Sequence, residues 1–229
     1  MPAVPRFPSL VAVLSALVLG ACGGTDGESA DPAASADPAA TPAATATGPN
    51  GIDMGFAAEM GPHHKEAVAM ARLADDRARH PEIKRLAADI IRSQQREIRV
   101  LDRAFNRLSE QGLQSEALGI PVEMMGMGHD LNALKRSRSF DRAFIDAMVP
   151  HHQGAIRMAR AELAKGGDED LKSMAQDIID SQSREIEQMN EWRTEWYGKP
   201  SPAGGVPPEV EDLSEKGHTD EPGAPEHGH

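Results

Sequence analysis

The sequence predicts an all-α protein, a four-helix bundle built from two copies of one helical hairpin. Three observations carry this expectation. Residues 53–98 and 141–186 are one stretch written twice, 88 positions apart without insertion, with 20 identities in 46 positions. Apolar residues recur at three- and four-residue steps through 53–108 and 141–197, and nothing alternates as a strand would. The flanks 23–50 and 199–229 are rich in Pro, Gly and acidic or small residues, and they lack the large apolar side chains a core needs.

Taken in order, residues 1–22 read as a processing segment. Arg6 supplies a positive start, Leu10 to Leu19 is an apolar run short for a bilayer span, and Leu19-Gly20-Ala21-Cys22 matches the bacterial lipobox. Cys22 is therefore the expected lipidation site. The expected location is the extracytoplasmic face of the cell membrane, reached through the signal and held by the lipid alone. An ordinary secretory signal is the alternative. Cys22 is the only cysteine, so no disulfide can form and stability must come from packing. Residues 23–50 are expected to be a disordered tether, and 51–198 the folded domain.

Within the domain, repeat one spans 53–108. Pro81 suits the first turn of its second helix, where Ile83, Leu86, Ala87, Ile90, Gln94, Ile98, Leu101 and Phe105 form one stripe. Residues 109–140 cross to repeat two, 141–197, whose second helix carries Leu171, Met174, Ile178, Gln182, Ile186 and Met189 on the matching stripe. Gly166-Gly167 separates the last two helices. Neither hairpin can bury its stripes alone, whereas two packed together can, with approximate internal twofold symmetry. Pro62 and Pro150 each fall inside a helical stretch, where a proline either kinks the helix and re-aims the next side chains or marks a restart. Residues 199–229 are expected to be a disordered acidic tail.

The net charge is −12. No basic stripe exists, so a nucleic-acid partner is excluded. No serine sits in a recognisable nucleophile elbow, and the mature chain has no thiol, so nucleophilic catalysis has no support.

The chemistry lies in the duplicated cluster. On a helix, Met60, His63 and Met70 share one stripe with His64 beside it, and Met148, His151, Met158 and His152 reproduce the pattern. Thioethers with neutral imidazoles are ligands for a soft ion such as Cu(I), with silver as its surrogate. Methionines on an apolar stripe are otherwise core filler; both copies carrying the same four ligand types is what argues for metal. The crossover adds Met124, Met125, Met127 and His129, interleaved with glycines that let the backbone turn; a hydrophobic lid is the other reading. Gln94, Glu97, Gln182 and Glu185 lie on or beside the buried stripes. The carboxylates need partners there: a histidine of the facing helix, whose tautomer they would set, or a surface arginine. His80 stands alone at a helix start and reads as a cap or solvent residue.

These residues closely resemble domain-of-unknown-function family three hundred and five. The family pattern is Phe, then Met-x-x-His-His, then Ala and Met at helical spacing, and a second helix ending in Gln-x-x-Glu-Ile. Here it reads Phe144, Met148, His151, His152, Ala155, Met158, Gln182, Glu185, Ile186, and again Phe56, Met60, His63, His64, Ala67, Met70, Gln94, Glu97, Ile98. The resemblance implies a ferritin-like four-helix bundle, usually exported. By similarity to periplasmic copper-binding members, it also implies copper binding and a part in copper tolerance. Repeat one departs in having Gly61 and Lys65-Glu66 where repeat two has Val149 and Gln153-Gly154.

The expected function is that of a lipid-anchored protein, not an enzyme, that sequesters Cu(I) or hands it to a copper-transfer partner. Two hairpins in one chain favour a monomer. Two alternatives stand beside it. One is a di-iron or di-manganese oxidase, which would need Glu-x-x-His pairs that accompany none of His63, His64, His151 and His152. The other is a non-metal envelope interaction module.

Overall fold

The computed structural model describes residues 48–209. The signal segment with Cys22, most of the tether and the tail from 210 lie outside the described residues. Helices α1 (Gly51–Arg77), α2 (Pro81–Glu110), α4 (Phe140–Lys165) and α5 (Glu169–Tyr197) form two antiparallel hairpins; a 3-10 turn (Val122–Met124) and the short α3 (Leu131–Arg136) occupy the crossover. The described residues contain no strand, and no helix among them is long and apolar enough to cross a membrane.

Local chemistry sets the boundaries. Asn50 opens α1 with a capping box: its side chain accepts from the N–H groups of Ile52 and Asp53, and Asp53 accepts from Asn50 N. Pro81 occupies the first turn of α2 as expected. Asp130 caps α3 and Asp168 caps α5, and Gly198 ends α5 in the left-handed region at φ 81°. Both α1 and α4 run without a break through Pro62 and Pro150, which rules out a restart at either proline.

Helix α1 packs on α2 and α4, and α4 on α1 and α5, while α2 and α5 meet only narrowly. Two apolar clusters fill the interior. One holds Met70, Ile83, Ile90, Phe144, Met148 and Ile186; the other holds Met60, Phe56, Leu101, Met158, Leu171 and Ile178. Equivalent residues of the two repeats lie in opposite clusters (Met60 with Met158, Met70 with Met148), as an internal twofold between α1 and α4 requires. Each fully buried side chain of this kind contributes about 1.5–3 kcal/mol.

The repeats also clasp each other through a reciprocal pair of carboxylates. Asp141, at the start of α4, accepts from Arg79 N and His80 N in the α1–α2 turn at 2.9–3.1 Å. Asp53, its counterpart in α1, accepts from Gly167 N and Asp168 N in the α4–α5 turn at 2.8–3.1 Å. His80 is no lone solvent residue. Its ring lies 2.5 Å from Asp141 Oδ2 and stacks on Trp196 at 3.6 Å.

Two further expectations are corrected. Phe105 is 37% exposed, because at about 100° per residue the buried face continues through Leu101, Ala104 and Leu108 and leaves Phe105 at its margin. The acidic tail begins later than residue 199. Gln153 Nε2 donates to the carbonyls of Ala203 and Gly205, Asn190 Nδ2 to Gly204 O, and buried Arg193 to Lys199 O, so 199–208 folds back onto α4 and α5. Arg193 also grips Asp146 with two bonds, at 2.8 and 3.1 Å.

Fully buried Glu162 sits beside Asp53. Burial first, then the hydrogen bond with Asp53 and the charges of Asp53 and Asp168, push Glu162 up to about 9, so it is protonated at neutral pH. Burial alone would raise Asp53, but the hydrogen bond from Glu162 and the N–H groups of Asn50, Asp168 and Gly167 outweigh it and hold Asp53 below its ordinary value. Between the ordinary carboxyl value of 4.5 and about 9 the native state keeps a proton that the unfolded chain has lost. Stability attributable to Glu162 therefore falls as pH rises through that window. The neutral variant Glu162→Gln is expected to melt above the parent at pH 8, with the gap closing near pH 4.5; parallel melting curves across this range would exclude a protonated Glu162.

Candidate metal centre

Where α1 crosses α4, the four histidines of the duplicated motif are completely buried. The His63 and His151 rings face each other across the internal twofold with centroids 3.8 Å apart, and His64 and His152 flank them, each 6.3 Å from its neighbour in sequence. Met60, Met70, Met148 and Met158 are also fully buried, in the apolar clusters on either side.

Each outer histidine is held by the second helix of its own hairpin. His152 Nε2 lies 2.6 Å from Glu185 Oε2. His64 Nε2 lies 2.8 Å from Glu97 Oε2, close enough for an ion pair though too oblique for a straight hydrogen bond. A carboxylate can only accept, so Nε2 of His152 is the donor to Glu185, and a ring carrying its single proton there has its lone pair on Nδ1. His63 Nε2 is 2.9 Å from the carbonyl oxygen of Met125, which again places the proton on Nε2. The Nδ1 atoms of His63, His64 and His152, and both nitrogens of His151, are buried without a hydrogen-bond partner. A buried lone pair left unpaired is costly, and a ring whose other nitrogen is tied to a carboxylate or carbonyl is how ligating histidines are held. The residues present fit a bound metal ion.

The inner pair stays neutral far into the acid range. Burial, then the neighbouring His64, lowers His63 to about 3, although the Met125 carbonyl opposes this. Burial, then His63, lowers His151 well below the ordinary imidazole value. Protons therefore compete weakly for these nitrogens. Among the described residues no three His, Cys, Asp or Glu side chains form a group that could hold a metal. Among these residues the carboxylate-rich set of a di-iron or di-manganese oxidase is not assembled.

The crossover closes the site from one side. Gly126, at φ 67°, and Gly154 mark the approach: a Cβ on Gly126 would lie 2.1 Å from Pro150 O, and one on Gly154 1.7 Å from Met125 O. Glu66 grips the far end of the segment, accepting from Gly128 N at 3.1 Å and from His129 N and Nδ1 at 2.9 Å each. Arg157 donates to Met124 O. The His129 ring is 5.9 Å from His151. Met125 meets the histidines through its carbonyl; Met124 and Met125 are half-buried, and Met127, 42% exposed, stands apart from the buried group.

Gln94 and Gln182 are buried with their side-chain carbonyl oxygens unpartnered. They share the position of Glu97 and Glu185 on the second helices but tie down no ring. In the sequence, Glu66 and Gly154 stand out only as departures from the repeat. The Asp53 and Asp141 clasp has one signal there, the identity of the two residues at matched positions.

The family model described as "Domain of unknown function (DUF305)" matches residues 53–193. The chain belongs to the DUF305 family. It is similar to CopM, solved in a Cu(I)-bound form, at 39% identity with TM-score 0.55, over 64% of this chain and 98% of CopM. CopM has also been solved in silver- and Cu(II)-bound forms. A DUF305 protein from Streptomyces coelicolor is 26% identical with TM-score 0.56, over 66% of this chain and 95% of that one. Uncharacterized protein L153 of Acanthamoeba polyphaga mimivirus is 39% identical over 57 residues, 24% of this chain and 38% of the relative, so the chain spans well under half of that protein. The expected family and all-helical fold are thus borne out.

The glycine contacts make a paired prediction. Gly154→Ala must displace the crossover backbone and is expected to destabilise the protein by about 1–3 kcal/mol. Gly61→Ala, whose Cβ would meet nothing nearer than 4.0 Å, is expected to stabilise it by about 0.5–1 kcal/mol. Chemical denaturation of both variants reads the difference; equal effects would show that the crossover does not rest on Gly154.

Proposed function

We propose that this protein binds Cu(I) through the His63–His151 pair, its flanking histidines His64 and His152, and thioethers of Met60, Met70, Met148 and Met158. In this reading it is held outside the cell by a lipid on Cys22, and it sequesters copper or passes it to a transfer partner, contributing to copper tolerance. The observation that carries the reading is the set of buried ring nitrogens with no partner, their proton-bearing nitrogens tied to Glu97, Glu185 and Met125 O. The match to CopM in its copper- and silver-bound forms supports the metal class. Imidazole nitrogen and thioether sulfur together suit Cu(I) and Ag(I) better than Zn(II) or Mg(II). Neither needs to lose a proton at neutral pH, which suits an oxidising compartment.

Anaerobic Cu(I) titration against a chromophoric chelator tests the binding. The wild-type domain is expected to compete, and the Met60/His63/Met148/His151 quadruple alanine variant to lose the competition. Glu97→Gln and Glu185→Gln, which leave every ligand in place, are expected to weaken binding by roughly 10–100-fold. Affinity in the quadruple variant equal to wild type would remove the proposal and leave the non-metal interaction module. For the anchor, Cys22→Ser is expected to move the protein from the membrane to the soluble fraction in a phase-partition assay. Continued detergent-phase partitioning would rule out lipidation at Cys22.

A further inference from the structure

Four of the five clustered histidines have no surface, so an ion reaching them must first meet something that has. His129 is the one ring of the cluster that does: its side chain is 21% exposed, and it lines an open cavity of about 380 Å³ with Leu134, Ala143 and Ala147. The same ring lies 5.9 Å from fully buried His151. Its orientation is set. The Nδ1–H donates to Glu66 Oε1, and Glu66 is fastened to the backbone N–H groups of Gly128 and His129. When the ring carries a single proton, this leaves Nε2 as the lone-pair nitrogen. Met127, two residues away, is the most exposed sulfur of the crossover.

We propose that His129 is the port of the metal centre: it takes a soft cation from solvent through the cavity and passes it to His151, with Glu66 as the positioning residue that holds the ring at the threshold. This rests on the Cu(I)-binding reading and adds the route. It also accounts for the break in symmetry between the repeats. Glu66 stands where repeat two has Gly154; one holds the port ring, and the other makes room for the segment that carries it.

A port and a resident ligand leave different kinetic signatures. Removing a resident ligand speeds release and weakens affinity. Removing a port raises the barrier in both directions and leaves the equilibrium where it was, since the bound state is untouched. Stopped-flow transfer of Cu(I) from a chromophoric chelator, with the reverse transfer to excess chelator, reads both rates. His129→Ala is expected to slow uptake and release alike, on the order of tenfold, with Kd unchanged. Ala147→Leu alters no ligand and narrows the cavity mouth, so it is expected to slow both rates in the same ratio; circular dichroism confirms that each variant is folded. Faster release with weaker binding in His129→Ala would overturn the proposal by making His129 a resident ligand. Unchanged rates in both variants would overturn it by placing the route elsewhere. A wild-type chain that takes no Cu(I) removes the reading beneath it, an outcome distinct from both.

Discussion

Four imidazoles buried at the centre of an apolar bundle, with ring nitrogens that find no hydrogen-bond partner, are expensive to bury, and the rest of the fold is arranged around keeping them there. The two hairpins supply Glu97 and Glu185 from their second helices, and the crossover supplies the Met125 carbonyl, so that His152 and His63 each donate one N–H and His64 lies at ion-pair distance from Glu97. The opposite nitrogens then have nothing to bond. Apolar residues of the same volume would pack more stably. A sequence that retains the rings in both copies holds their lone pairs ready for a ligand, and burial strips protons from the inner pair so that mild acid does not occupy it.

Duplication solves the packing and then creates a problem. Two hairpins related by a twofold can clasp each other reciprocally, and Asp53 and Asp141 do so across the two interhelical turns. A single covering segment cannot itself be twofold symmetric. When the crossover passes over the axis it must meet one repeat with one end and the other repeat with the other, and the two repeats have to differ where it touches them. Glu66 and Gly154, matched in register, are that difference. The same asymmetry leaves His63 bonded to the Met125 carbonyl and His151 bonded to nothing.

Much of the fold was legible because its signals are local. Helical periodicity, Pro81 at a first turn and Gly166-Gly167 at a break place the four long helices within a few residues of their observed ends. Exposure of Phe105 escaped because a stripe drawn at alternating steps of three and four tolerates an error that the true helical angle does not. The ordered stretch 199–208 escaped because its backbone is held by Gln153, Asn190 and Arg193 from distant helices, while its own composition reads as tail. The pairing of Glu97 with His64 was among the two readings open for a carboxylate beside the stripe, and burial of the ring decided between them.

By itself, the sequence determined the all-α class, the duplicated hairpin, and which thioethers and imidazoles share a helix face, since each depends on spacing along one chain. Only the tertiary structure decided that His63 meets His151, that the crossover touches the site through a backbone carbonyl and His129, and that Glu66 holds it there. Those contacts join residues some sixty or more positions apart. Their geometry follows from how two helices cross and where a loop lands, and no periodicity within either segment encodes that.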